Sequence, residues 1–257
     1  MKERLENISH NGPAFVAFFL ILLLWWGVCR AGLVPSYMLP SPESVLAAFV
    51  VDFPNLMFHA AVSLQEAIYG LLIGVALAVV MAAAMDHFSI LERAVFPIMV
   101  VTQTIPTIAI APLLVLWMGF GMAPKIALVV ITTFFPVAVG LLEGFKSVDP
   151  DQIDLLRSMH ADNRQIFFHV KVPSVLPQFF AGLKISASYA VVAAVIAEWL
   201  GGFEGLGVYM TRVKKAYAFD KMFAVIILIV IVSLLLMAVV DLLKKAAMPW
   251  VEKPDKN

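Results

Sequence analysis

Long apolar stretches recur along this chain of 257 residues and constrain its fold more than any other feature. The hydrocarbon core of a bilayer is about 30 Å thick, and an α-helix needs about 20 apolar residues to cross it. The chain is 62% hydrophobic and only 14% charged, which is too little charge to cover a water-soluble domain of this length. The sequence therefore predicts an all-α, polytopic membrane protein.

We predict six transmembrane helices, one in each apolar stretch. Pro97, Pro106 and Pro112 interrupt the third helix, and a membrane tolerates prolines where neighbouring helices or a water-filled cavity satisfy the freed carbonyl groups. The six helices are expected near residues 13–31, 60–85, 96–118, 126–142, 175–200 and 222–243.

Two further segments lie between these helices. Ser41 followed by Pro42 favours a helix start. We therefore expect a short amphipathic helix over residues 42–52, lying on the membrane surface. The segment 201–221, rich in glycine and charge, is expected to form a loop.

Lysine and arginine residues are unevenly distributed between the two sides of these helices. If both termini are cytoplasmic, the cytoplasmic segments hold eleven of these residues and the outer segments hold six. This bias predicts cytoplasmic termini. No small-residue cleavage site follows the first apolar stretch, so we expect a retained helix rather than a cleaved signal peptide. The net charge of zero argues against a nucleic-acid partner.

The longest polar segment, residues 146–173, is thereby placed in the cytoplasm. Asp149 followed by Pro150 starts a helix, because Asp caps well and Pro suits the first turn. A second short helix is expected over residues 163–170, after a bend near His160.

This segment resembles the loop that permeases of ATP-binding cassette importers insert into their ATPase subunits. Asp154 stands where the family has glutamate, and His160 stands where the family has the glycine of the bend. Any positive φ at the bend is therefore carried by a residue that has a Cβ. The stretches QTIPTIAIAPLLVLWMGFGMAPKI, GLKISASYAVVAAVIAEWLGG and GLGVYM are similar to the branch that imports nitrate, taurine, alkanesulfonates and thiamine pyrimidine precursors.

The resemblance implies a single type I importer permease domain over residues 1–257, in the bacterial cytoplasmic membrane. It implies an ATPase dimer as partner, with a second permease copy and an external binding protein that delivers the cargo. ATP and Mg would be bound by the ATPase, because this chain has no G-x-x-x-x-G-K-[ST] motif. The chain itself would then be neither an enzyme nor a cofactor protein. The residues expected to dock onto the ATPase are Asp154, Leu155, Leu156, Arg157, Ser158, Met159, His160 and Ala161.

The resemblance favours a thiamine pyrimidine precursor as cargo, with sulfonate, taurine or nitrate as the other choices. Broken helices expose backbone dipoles where substrates pass, so the region around Pro106 is a candidate for the translocation path. The candidate path residues are Gln103, Thr104, Thr107, Glu198 and Trp199.

Several of these residues also have simpler explanations. Trp199 either stacks on a heteroaromatic ring or anchors its helix at the membrane interface. Glu66, Lys184 and Glu198 either line the path or form ion pairs, and the two glutamates are placed near the outer helix ends, where their carboxylates reach water easily.

Residues of the cytoplasmic loop likewise have either a functional role or a simpler structural explanation. Asp154 and Arg157 lie three residues apart and either contact the ATPase or pair with each other in solvent. His160 has no second ligand at a useful spacing, so we expect no metal site there.

Two other function classes remain as alternatives. A secondary transporter driven by an ion gradient needs intramembrane carboxylates for coupling and usually an inverted repeat. A membrane enzyme needs a cluster of His, Asp, Glu or Ser side chains at membrane depth. Neither pattern is visible in the sequence.

Overall fold

The computed structural model describes the backbone of residues 2–250 and the side chains of residues 12, 13 and 15–250. Over these residues the ordered elements are all helices, which confirms the predicted all-α class. The side chains of Lys2, Arg4, Lys253 and Lys256, which enter the charge bias, lie outside the described part. The helices are α1 (Lys2–Arg30), α2 (Pro42–Val51), α3 (Phe53–His87), α4 (Ser89–Thr104), α5 (Thr107–Met118), α6 (Met122–Lys146), α7 (Pro150–Ser158), α8 (Asn163–Ile166), α9 (Val172–Gly201), α10 (Leu206–Lys215) and α11 (Phe219–Ala247).

Four helices are long and apolar enough to cross a membrane. They are α3, α6, α11 and the continuous helix Asn163–Gly201, which joins α8 to α9. The apolar part of α1 that the structure describes, Phe15–Arg30, is shorter. By length and composition, the described residues therefore give four candidate spans, or five if α4 and α5 together form one broken span, where the sequence predicted six.

The broken span is the third apolar stretch, as predicted. The axes of α4 and α5 differ in direction by 102°. The break lies at Ile105 and Pro106, where Ile105 is extended with φ −80° and ψ 122°. A residue that precedes proline is sterically pushed into this region, so Pro106 accounts for the break. Pro97 and Pro112 lie inside their helices without such a bend.

The prediction that a separate helix ends near Val170 was wrong. The chain continues as helix from Asn163 to Gly201. Between Phe167 and Lys171 the turn widens, and the Val172 N–H donates to the Phe167 carbonyl five residues earlier. Pro173 has no N–H for the carbonyl four residues before it, and the wider turn accommodates this loss without ending the helix.

The expectation of a simple loop over residues 201–221 was also wrong, because α10 lies within it. Leu206, Tyr209 and Val213 are buried and recur at spacings of three and four residues. This short amphipathic pattern favours a helix, but it is masked in the sequence by the surrounding glycines and charges.

The chain divides into two compact units. The first comprises residues up to Phe58 together with Tyr209–Leu228. In it the side chain of Ser41 caps α2 by accepting from the Ser44 N–H, and Trp25 stacks on Phe223 with ring centroids 5.8 Å apart. The position of α2 on the membrane surface remains a prediction.

The second unit comprises His59–Val208 together with the residues from Ile229. Its most extensive packing is between α6 and α9. Close approach is possible because Gly182 faces the Pro136 carbonyl and Gly140 faces the Gln178 carbonyl. The Ser186 hydroxyl donates to the Thr133 carbonyl at 2.7 Å. The hydrophobic core around this contact includes Val137, Leu141, Leu142, Phe145 and Val175.

Candidate functional site

The polar segment after α6 begins with α7, which starts where the sequence predicted. The Asp149 carboxylate accepts from the Asp151 N–H at 3.0 Å and so caps the helix. Farther along the helix, Arg157 Nη1 lies 3.3 Å from Asp154 Oδ1, and both side chains are more than half exposed. This is the solvent ion pair foreseen as the simpler explanation, and it leaves both charges accessible to a partner.

The bend after α7 is a Schellman motif. The Ala161 N–H donates to the Leu156 carbonyl at 3.0 Å and the His160 N–H donates to the Arg157 carbonyl at 2.9 Å. This geometry places the residue after the helix in the left-handed region, and His160 has φ 64°. The position is normally occupied by glycine, because a Cβ is disfavoured there.

The chain after the bend is fixed by a capping box that sequence analysis did not identify. The Asp162 carboxylate accepts from the Gln165 N–H at 2.7 Å, and the Gln165 side chain accepts from the Asp162 N–H at 2.8 Å. An acidic residue followed three positions later by glutamine is the recognisable signal. Both turns that hold the loop are therefore closed by local hydrogen bonds.

Beside this loop lies a cleft of about 380 Å³. Its walls include Ile153 and Arg157 of α7 together with Arg164 and Phe168. Lys171 Nζ bonds to both oxygens of Asp86 at 2.8 and 2.9 Å, which ties the base of α9 to the end of α3. The loop is thus anchored to two of the membrane helices and leaves Leu155 and Met159 exposed.

A second recess, a groove of about 480 Å³, lies against α6 and α9. Gln103, at the end of α4, is the one predicted path residue that lines it. Three polar residues that sequence analysis did not select line it as well, namely Glu143, Gln178 and Tyr189. They were missed because only a folded chain brings residues 40 to 86 positions away beside Gln103.

The other predicted path residues do not line this groove. The Thr104 hydroxyl donates to the Val101 carbonyl of its own helix at 2.7 Å, and Thr107 is the first residue of α5. Trp199 lines a separate shallow recess with Phe120 and Phe203. Glu198 is buried at 1% exposure. The structure therefore does not bring the five residues into one site.

Glu198 belongs to a buried polar cluster that sequence analysis did not foresee. Its carboxylate accepts from the Ser63 hydroxyl and from the Gly207 N–H, both at 2.5 Å. Nearby, Lys125 Nζ lies 2.6 Å from Glu66 Oε1, and the two side chains are 5% and 0% exposed. The expectation that these glutamates reach water from the helix ends was wrong, because both are enclosed by the chain's own helices.

Glycines after α9 make this enclosure possible. Gly205 has φ 115°, and a Cβ there would collide with the Glu198 carboxylate. The Gly205 N–H donates to His59 Nδ1 at 3.0 Å, and the next N–H, that of Leu206, donates to the Ser63 hydroxyl at 2.8 Å. Three successive N–H groups at the start of α10, those of residues 205 to 207, thus donate to the cluster, while Glu66 Oε2 has no hydrogen-bond partner among the described residues.

Lys184 pairs with Asp241 of α11, with Nζ 2.7 and 2.9 Å from the two carboxylate oxygens. This is the ion-pair alternative considered for Lys184. Within the described residues, no three His, Cys, Asp or Glu side chains are grouped so as to hold a metal ion.

The family described as "Binding-protein-dependent transport system inner membrane component" matches residues 70–253. The formylaminopyrimidine transport permease ThiX of Halalkalibacterium halodurans is 35% identical over 237 residues, which cover 92% of this chain and 95% of that protein. The taurine permease TauC of Escherichia coli is 29% identical over 238 residues, covering 90% of this chain and 86% of that protein. The putative aliphatic sulfonates permease SsuC of Bacillus subtilis is 27% identical over 233 residues, covering 90% and 84%.

A solved structure shares the fold. It is an amino acid ABC transporter crystallised with histidines, whose chain superimposes with a TM-score of 0.66. The match covers 78% of this chain and 97% of that chain at 16% sequence identity. A likeness at this identity concerns the fold alone, and the fold is the one that the resemblance implied.

Proposed function

This chain belongs to the family of binding-protein-dependent transport system inner membrane components, and we propose that its cargo is a formylaminopyrimidine or a related small heteroaromatic compound. It is a permease subunit of an ATP-binding cassette importer, with several membrane-spanning helices. The proposal concerns the cargo, the route by which ATP hydrolysis drives transport, and the partners.

The observation that carries the cargo proposal is the higher identity to the formylaminopyrimidine permease. That relative is 35% identical over 92% of this chain, whereas the taurine and sulfonate relatives are 29% and 27% identical over 90%. The compared lengths are nearly equal, so the difference does not come from a longer alignment. The higher identity to the formylaminopyrimidine permease agrees with the cargo class that the sequence resemblance favoured, the thiamine pyrimidine precursors.

The coupling proposal is that α7 and the bend after it dock into a groove on a separate ATPase. The exposed apolar side chains of Leu155 and Met159 would fill that groove. Arg157 is well suited to a carboxylate of the partner, because its planar guanidinium binds two oxygens at once. Closure of two ATPase subunits around ATP and Mg would then move the permeases between inward-open and outward-open states as rigid bodies.

The remaining partners follow from the same family. We propose that two copies of this chain assemble with two ATPase subunits, and that an external binding protein delivers the cargo. Eleven lysine and arginine residues lie in the segments on the same side as the termini and only six on the other side, and this bias supports cytoplasmic termini.

The coupling proposal is tested by reversing the charge of Arg157. In the complex reconstituted with its ATPase and binding protein, we expect R157E to reduce cargo-stimulated ATP hydrolysis at least tenfold, since a hydrogen bond to a charged group is worth about 1.5–3 kcal/mol. The matched control is Arg93→Glu, an exposed arginine on α4 outside the loop, which should leave hydrolysis unchanged.

A double variant separates docking from the internal ion pair. Asp154→Arg combined with Arg157→Asp restores a pair of opposite charges within α7. If the pair merely stabilises the helix, the double variant should recover activity. If Arg157 contacts the ATPase, the double variant should remain uncoupled, and full recovery would contradict the proposal.

A further inference from the structure

The groove along α6 and α9 has properties that neither the sequence nor the family assigns. It is lined by Gln103 of α4, Glu143 of α6, and Gln178 and Tyr189 of α9, set among apolar groups such as Phe135. Its volume of about 480 Å³ falls within the range of small-molecule sites. The α6–α9 pair that forms its wall makes the most extensive contact of any helix pair in the described chain.

Lipid is a poor occupant for this groove. Gln103 and Tyr189 are both exposed, although they lie on helices that are candidates for crossing the membrane. Polar side chains in such helices usually face a protein interior or a water-filled path, because exposure to hydrocarbon costs hydrogen bonds. The groove therefore fits a polar occupant.

Gln178 offers a hydrogen-bonding group that the described part of the chain does not use. Its Oε1 atom has no hydrogen-bond partner there but is enclosed, so the carboxamide must rotate about its last bond before this acceptor meets a cargo in the groove. A carboxamide presents a donor and an acceptor side by side, and this pair is complementary to the amino group and ring nitrogen of an aminopyrimidine. Tyr189, which is 54% exposed, adds an aromatic face on which a planar ring can stack.

The charge of the groove discriminates between cargo classes. Among the described residues, its lining contains no lysine or arginine, and Glu143 is its one charged side chain. Glu143 has no ion-pair partner within the described residues. A sulfonate or nitrate ion would therefore meet a carboxylate and no cation, whereas a neutral or protonated aminopyrimidine would meet complementary groups.

We propose that this groove recognises the cargo during its passage and selects neutral or cationic planar heteroaromatic compounds over anions. The proposal rests on the proposed function and deepens it, because it assigns the selectivity to residues of the permease. Gln103 and Gln178 provide hydrogen bonds, Tyr189 provides the stacking surface, and Glu143 excludes anions.

The first test measures whether water and cargo reach the groove. Cys29 is the single cysteine, so Cys29→Ser gives a background in which one new thiol is labelled. We expect Gln103→Cys and Tyr189→Cys to react with a methanethiosulfonate reagent about tenfold faster than the control Val80→Cys, because the thiolate forms only where water reaches it. Val80 is 69% exposed on the apolar helix α3. Excess 4-aminopyrimidine should slow both groove thiols, and equal rates at all three positions would overturn the proposal.

The second test measures selectivity in the complete reconstituted complex. We expect Gln178→Leu and Glu143→Lys to reduce uptake of labelled 4-aminopyrimidine about tenfold or more while the ATPase subunits still co-purify. Gln65→Leu, an exposed glutamine on α3 outside the groove, is the matched control and should transport normally. Unchanged uptake in both groove variants would overturn the proposal. Loss of the ATPase or of the second permease copy would also overturn it, because the groove would then be a subunit contact.

The uptake results distinguish a failure of the groove assignment from a failure of the proposed cargo. If the wild-type complex does not import 4-aminopyrimidine but imports a heteroaromatic compound unrelated to the pyrimidines, and both variants abolish that import, the proposed cargo is wrong and the groove assignment stands. If the wild type imports 4-aminopyrimidine and both variants import it equally well, the groove assignment is wrong and the proposed cargo stands.

Discussion

At the scale of single residues, the pair of Lys125 and Glu66 is the most deeply buried ion pair among the described residues of the second unit. Both side chains are almost completely enclosed, and their charged atoms are 2.6 Å apart. Taking two charges out of water is costly, so such a pair adds little net stability over apolar residues of similar volume. Removing only one partner lowers the stability strongly, because the other charge then remains buried without an opposite charge beside it.

We therefore predict that Lys125→Met destabilises the protein by about 3–5 kcal/mol, measured by SDS-induced unfolding. The control is Lys146→Met. Lys146 pairs with Glu92 at 2.5 Å, but its side chain is 57% exposed. An exposed ion pair contributes about 0–1 kcal/mol, so this control should change little. Equal losses in the two variants would show that burial does not determine the cost.

A second residue-scale prediction concerns Asp52, which follows α2 and lies outside the spans. Partial burial alone would raise its pKa, but hydrogen bonding from Tyr209 and the charge of Lys221 together lower the pKa below its usual value of 3.8. A lowered folded-state pKa contributes stability above the unfolded-state pKa, and this stability is lost as pH falls through the folded-state value.

Asp52→Asn should therefore lower the free energy of unfolding by about 2 kcal/mol at pH 7, because it removes a charged hydrogen-bond acceptor. The difference between variant and wild type should shrink as pH falls below 3.8. Thermal unfolding in detergent at several pH values measures this. A difference independent of pH would mean that the Asp52 charge does not contribute.

The unusual charges at this scale are recognisable in the sequence, but their partners are not. Glu66, Lys184 and Glu198 stand out because charges are rare in apolar helices. The pairing of Lys125 with Glu66 was not predicted, since these residues are 59 positions apart. Which side chains meet across such a distance is decided by helix packing, and one sequence contains no direct record of that packing.

At the scale of elements, the contact between α6 and α9 holds the second unit together. A Cβ added at Gly182 would lie 2.5 Å from the Pro136 carbonyl oxygen, which belongs to the backbone and cannot rotate away. The two helices can approach this closely because Gly182 has no side chain.

We therefore predict that Gly182→Ala costs about 1–3 kcal/mol, as expected when a well-packed contact is overfilled. Gly27→Ala on α1 is the matched control, because nothing lies within 4 Å of a Cβ at that position. Alanine favours helix over glycine by about 1 kcal/mol, so the control should be neutral or stabilising in SDS-induced unfolding. A neutral Gly182→Ala would mean that α6 and α9 can separate at no cost.

Elements with strong local signals were predicted well. The start of α7 at Asp149 and Pro150 and the break at Pro106 follow from the chemistry of capping and of proline. The continuous helix through Pro173 was not predicted, because a widened turn compensates for the missing N–H. The α10 helix was missed because it is short and lies among glycines and charges.

At the scale of the whole molecule, much of the chain presents apolar side chains outward. Leu24, Leu116, Trp117 and Leu235 are examples, each more than half exposed. In water such a surface would aggregate, whereas lipid and neighbouring subunits cover it in a membrane. The sequence predicted this class from composition and identified the family from its motifs. It could not specify the groove, because Gln103, Glu143 and Gln178 lie on three different helices.

We propose that this permease carries a neutral or cationic heteroaromatic cargo and that a separate ATPase drives the transport. The most direct measurement is uptake into proteoliposomes that contain the full complex, with labelled 4-aminopyrimidine and labelled taurine compared side by side. We predict that 4-aminopyrimidine accumulates only when ATP and the binding protein are both present, and that taurine does not accumulate. Preferential accumulation of taurine, or uptake driven by a proton gradient without ATP, would contradict the account.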